Sequence, residues 1–130
     1  MRTSIIAVAG LVAMVAPAEA LETLAGGALF GGPSQTRAIC YFYNAGNQAV
    51  TIKGMQIRDR FGTIKPLVIN ECGPSGSSLG KGVSCGIAAN IVNNLPHSCK
   101  VRVDPSKDEV RGVLEIRDGS QNVLQSIDLR

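Results

Sequence analysis

From Arg37 to Arg130 the chain is a series of short runs in which apolar and polar residues alternate, each closed by turn-forming residues. Alternation with period two sends successive side chains to opposite faces of an extended strand. In the first run, Arg37–Asn44 (RAICYFYN), Ala38, Cys40 and Phe42 share one face; Ile39, Tyr41 and Tyr43 share the other. Asn44-Ala45-Gly46-Asn47 then forms a turn. In Ala49–Arg60, Val50 and Ile52 hold one parity and Met55 and Ile57 the other, which predicts a bulge at Lys53-Gly54. Pro66 inside the run Thr63–Asn70 predicts an edge strand. Gly82–Ile91 aligns Val83, Cys85, Ile87, Ala89 and Ile91. Ser98–Asp104 sets Cys99, Val101 and Val103 against Lys100, Arg102 and Asp104. Val110–Asp118 aligns Val110, Gly112, Leu114 and Ile116, and Asp118-Gly119 opens a hairpin. The last run, Val123–Arg130, is expected to bury Val123, Ile127 and Leu129. Seven such runs without a sustained helical period predict an all-β fold, an antiparallel β-sandwich with one wet and one dry face per strand. The sandwich domain is expected over 36–130. The glycine-rich stretch 21–35 precedes it as a lead-in, with Leu24–Phe30 as a candidate edge strand.

The N-terminus sets the compartment. Arg2, the uncharged apolar run Ile5–Val15 and Ala18-Glu19-Ala20 have the layout of a secretory signal peptide over 1–20. The apolar run is too short to span a bilayer, and no longer one follows, so the mature chain is not expected to be membrane-spanning. Four cysteines follow the signal: Cys40, Cys72, Cys85 and Cys99. An even number in an exported chain implies two disulfides and an exported, periplasmic or extracellular, location. Cys72 and Cys85 close the loop 73–84, worth about 3 kcal/mol in the chain-entropy model. By elimination Cys40 joins Cys99, both mid-strand on inward faces, at about 4 kcal/mol. Two other pairings stay open. The formal net charge of +3 is spread along the chain among acids, without the dense basic patch that nucleic-acid binding needs.

"CGPSGSSLGKGVSC" (72–85) contains Gly80-Lys81, but a phosphate loop needs glycine at 75 and Ser or Thr at 82, where this chain has Ser75 and Gly82. Ser78-Leu79-Gly80-Lys81 matches S-x-x-K, but Gly80 and Gly82 oppose the helix that motif requires. The stretch is therefore expected to be a flexible loop stapled by its cysteines, with Ser75, Ser77, Ser78 and Lys81 as candidate partner contacts. The irregular cysteine spacings and the absence of C-x-x-C disfavour zinc, and no cofactor is expected. His97, the single histidine, is placed in a surface loop beside Pro96. Glu71, Asp104, Asp108, Glu109 and Glu115 read as loop or solvent-face residues, so no acid–base pair is legible. Tyr41 and Tyr43 form either a covered strand face or an aromatic strip for a ligand such as a sugar. Lys100, Arg102, Arg111, Glu115 and Arg117 are expected to make cross-strand pairs.

"AICYFYNAGNQAVTI", "LGKGVSC", "SCKVRV" and "VRGVLEIRDGSQNVLQSIDL" together resemble small exported bacterial β-proteins of uncharacterised function. The "N-x-G…AVTI" and "L-x-x-G-x-S-C" pieces are similar to immunoglobulin-like modules of bacterial surface proteins. The resemblance implies an immunoglobulin-like sandwich and export, and no catalytic residue. The expected function is a non-enzymatic binding or structural module of the bacterial cell envelope, whose partner is a protein or envelope component. The alternatives are a secreted inhibitor of a host or competitor enzyme acting through the 73–84 loop and, behind it, a small hydrolase.

Overall fold

The structure is a computed structural model and describes residues 21–92 and 94–130. The signal-peptide expectation therefore falls outside the described residues. Among these residues nine strands form: β1 (Glu22–Ala25), β2 (Gln35–Asn44), β3 (Val50–Asp59), β4 (Leu67–Asn70), β5 (Ser78–Leu79), β6 (Ser84–Asn90), β7 (His97–Asp104), β8 (Val110–Asp118) and β9 (Val123–Leu129). They make two antiparallel sheets, ordered β1-β7-β3-β5 and β4-β6-β2-β8-β9. The chain is an all-β sandwich. Seven strands match the runs seen in the sequence; β1 is an edge strand of the lead-in that overlaps the expected Leu24–Phe30 only at Leu24 and Ala25, and β5 is a short addition.

The period-two faces meet between the sheets. Ala38, Cys40 and Phe42 of β2, Ile87 and Ala89 of β6, and Leu114 and Ile116 of β8 are buried from one side. Ile52 and Ile57 of β3 and Cys99, Val101 and Val103 of β7 are buried from the other. Burying each Val, Leu, Ile or Phe side chain among them contributes about 1.5–3 kcal/mol. Cys40 is bonded to Cys99 across the core, joining the centre of the larger sheet to β7. Cys72 is bonded to Cys85 where the β4–β6 connection returns. Two disulfides fit an oxidising compartment.

Bulges decide the faces at two places. In β3 the register skips Lys53, pairing Ile52 with Val103 and Gly54 with Arg102, so Met55 and Ile57 turn inward while Gly54, Gln56 and Arg58 turn outward. In β9 it skips Leu124, pairing Gln125 with Ile116 and Val123 with Arg117. This corrects the expectation for the last strand. Leu124 packs on the core, whereas Val123 and Ile127 are exposed on an edge strand and Leu129 alone of the expected three is buried. Val83 is likewise exposed, because it lies in the turn before β6.

Candidate functional site

The two tyrosines lie on the outer face of the larger sheet, on its central strand. Tyr41 stands opposite Gly86 of β6 and Val113 of β8; Tyr43 stands opposite Ser84 and Arg111. The lack of a side chain at position 86 lets the Tyr41 ring lie against β6, where a Cβ would be 3.3 Å from Tyr41 Cδ1. Arg117 Nη2 donates to Tyr41 Oη at 3.5 Å, and Arg117 is anchored by Glu115 Oε2 at 2.9 and 2.5 Å. Tyr41 is thereby held half-buried, while Tyr43 is 45% exposed. Beside them is an open depression of about 230 Å³, with Val113 and Gly112 in its floor and Ser84, Arg111 and Asp128 at its rim. An apolar floor with a few polar groups at its margin is the usual composition of a small-ligand site.

The loop 73–84 corrects the expectation of flexibility. It leaves the larger sheet and crosses to the smaller one. Gly76 N donates to Ile52 O at 2.7 Å, Ile52 N to Ser77 O at 2.8 Å, and Ser75 Oγ to Lys53 O at 2.7 Å. Ser78 and Leu79 pair with Thr51 and Val50 as β5. Leu79 is buried at 4% exposure, an anchor the serine–glycine composition concealed. Asn44 Nδ2 donates to Leu79 O at 2.9 Å and to Gln48 O at 2.7 Å. The turn before β6 then closes on β2 through Gly82 N to Asn44 O at 2.9 Å. Ser75, Ser77 and Ser78 thus sit along β3, whereas Lys81 is exposed in the turn that meets Asn44, next to Tyr43 in the chain. The structure does not gather the six candidate contacts into one patch.

His97 is not on the surface. It begins β7 opposite Asp59 and is fully buried. Neither ring nitrogen has a hydrogen-bond partner among the described residues. Burial holds its pKa below the ordinary value; the Lys65 charge acts in the same direction, while the Leu95 carbonyl and Asp59 oppose it. That carbonyl accepts Gln35 Nε2 at 2.8 Å and meets neither imidazole nitrogen in hydrogen-bond geometry. Asp59 is a buried acid that the alternation pattern does not single out. Its Oδ1 accepts Phe61 N at 2.9 Å and Thr63 N at 3.0 Å, and its Oδ2 meets Lys65 Nζ at 2.9 Å. The Lys65 hydrogen bond, helped by the two backbone donors, lowers its pKa to about 2. The signal was present in Asp59-Arg-Phe-Gly62, an Asx-type turn closed by a glycine at φ 81°. These bonds engage both carboxylate oxygens, so Asp59 serves the turn.

The charges on β7 and β8 also differ from expectation. Arg117 pairs with Glu115 two residues away on its own strand, and Arg111 donates to the carbonyls of Asp108 and Val110. Among the described residues Lys100 and Arg102 meet no acid. All four cysteines are in disulfides, and among the described residues no three His, Cys, Asp or Glu side chains gather as a metal set. Among the same residues no helix is long and apolar enough to cross a membrane. Comparison with protein-family models, with curated proteins and with solved structures finds no match for this chain.

Proposed function

We propose that the chain is an exported, non-enzymatic binding module of the bacterial cell envelope that receives a ring-shaped polar ligand, such as a sugar unit, on the outer face of its five-stranded sheet. The observation that carries this reading is the Tyr41–Tyr43 pair. Two aromatic rings on a central strand border an apolar depression rimmed by Ser84, Arg111 and Asp128. Aromatic faces pack against the C–H faces of a sugar ring, while rim donors and acceptors fix its hydroxyls. The two disulfides and the signal-like N-terminus support export.

The test is a titration with soluble oligosaccharides cut from bacterial envelope polymers. The chain has two tyrosines and no tryptophan, so intrinsic fluorescence reports on this face alone. A saturable change is expected, and Tyr43→Ala should weaken binding about tenfold by calorimetry, the size of a lost aromatic contact. Affinity unchanged in Tyr43→Ala would remove the site. Turnover of an oligosaccharide, abolished by one polar substitution in a folded variant, would remove the non-enzymatic reading.

A second reading, an inhibitor that offers the 73–84 loop to an enzyme, is favoured by the pinning of that loop along β3. A preorganised loop loses less entropy on binding. An enzyme captured from envelope extract should then lose activity on binding and regain it with Lys81→Ala.

A further inference from the structure

On the opposite side of the molecule, the outer face of the smaller sheet carries an uncompensated group of cations. The bulge at Lys53 turns Gln56 and Arg58 outward on β3, and the register sets Gln56 opposite Lys100 and Gly54 opposite Arg102 of β7. These five residues line one depression of about 170 Å³. Gly54 keeps it open: a Cβ there would lie 3.3 Å from Arg102 Nη2, so the guanidinium lies across the bare backbone of β3. Arg58 donates through Nε and Nη2 to Gln56 Oε1 at 2.9 and 2.6 Å. That contact orients Arg58 and uses the acceptor of Gln56, leaving its amide N–H groups to donate. The side chains of Lys100 and Arg102 have no hydrogen-bond or ion-pair partner among the described residues. Asp104, the acid that follows them on this face of β7, is 3.8 Å from Lys53.

The groups around the depression that are not already engaged are therefore all donors, and three of the side chains are cationic. Like charges on adjacent strands destabilise a sheet, and an anion seated among them reverses that term. Guanidinium forks match the oxygens of a phosphate in pairs, and an ammonium adds a point charge. We infer that this depression is a binding site for a phosphate group, held by Arg58, Lys100 and Arg102 with Gln56 as a neutral donor. It is independent of the tyrosine face. Its phosphate comes either from a soluble phosphorylated molecule or from an anionic lipid headgroup.

The test uses the folded full-length mature chain at constant ionic strength. Inorganic phosphate and tripolyphosphate are titrated while backbone amide and arginine side-chain NMR signals are followed. Binding to phosphatidylglycerol-containing vesicles is measured in parallel by sedimentation. Shifts are expected at residues 54–58 and 98–102. Arg102→Gln should weaken binding about tenfold or more, the effect of losing one charge-assisted contact. Arg60→Gln removes the same charge from the β3–β4 turn, where Arg60 stacks on Phe61 at 4.8 Å, and should leave affinity within about twofold. Both arginines are exposed, and the amide spectrum verifies each fold. Arg102-dependent binding of the soluble probes assigns a soluble phosphate; Arg102-dependent binding of vesicles alone assigns a headgroup. No shift with any probe, or equal loss in Arg60→Gln and Arg102→Gln, overturns the site.

Discussion

Asn44 and His97 show how differently two buried polar residues can stand in one core. Asn44 is fully buried and satisfied: its amide nitrogen serves the carbonyls of Gln48 and Leu79, and its Oδ1 accepts Gly46 N at 2.9 Å. Removing it strands the buried Leu79 carbonyl and breaks the partly buried bond to Gln48, so Asn44→Ala should cost about 2–3 kcal/mol in urea denaturation. His97 has no such partners. Its pKa is lowered on folding, so below about pH 6.5 the unfolded chain takes up a proton that the folded chain resists. Stability should be full above that pH and fall on acidification. His97→Leu, which replaces the ring by an apolar side chain, should flatten the dependence between pH 7.5 and pH 5 without lowering stability at pH 7.5. Denaturation midpoints at the two pH values check it. Asp59 acts at lower pH. Its lowered pKa means its contribution is present above the ordinary carboxylate range and lost only as pH falls toward about 2.

Among the elements, the β4–β6 connection does more than join two strands. It carries β5 to the other sheet and ties the two sheets along one flank, with Leu79 as the apolar anchor. Leu79→Ala should therefore destabilise by about 2–3 kcal/mol, in the range for a buried leucine. Ser75→Ala, which removes one exposed hydroxyl contact, should cost about 1 kcal/mol or less. Chemical denaturation of the two variants compares them directly. A comparable loss at Ser75 would mean that side-chain hydrogen bonds, and not Leu79, hold the loop. Its composition of Gly, Ser and Pro suggested flexibility because each residue alone favours turns. The pairing partner on β3 is remote in sequence, so no local signal announced it.

For the molecule as a whole, the two disulfides differ in what they join. Cys40–Cys99 links the sheets and closes a separation of 59 residues; Cys72–Cys85 closes one of 13. Loop-closure entropy grows slowly with length, so replacing the first pair by alanines should cost about 4 kcal/mol and the second about 3 kcal/mol. Thermal and urea unfolding of the paired Cys→Ala variants measures the order, and a larger loss for Cys72–Cys85 would contradict it. The two outer faces also divide the surface by character, aromatic on the larger sheet and cationic on the smaller. The residues of both were visible in the sequence, but their separation was not.

What the sequence by itself determined is local. Period-two alternation assigned Ala38, Cys40 and Phe42 to one face, and the parity change in VTIKGMQI located the bulge at Lys53, because the pleat orders neighbours along one strand. The aromatic strip of Tyr41 and Tyr43 was legible for the same reason. Tertiary structure decided everything that depends on which strands become neighbours. Alternation is blind to sheet membership and to edges, so it could not tell that Val123 and Ile127 would stand at an edge. Nor could it tell that Lys100 and Arg102 would face Gln56 and Gly54 across strands more than forty residues apart in sequence, with no acid between them. His97 followed the same rule: adjacent to Pro96 it read as loop, and its pairing between Asp59 at the end of β3 and Leu29 in the lead-in drew it into the core.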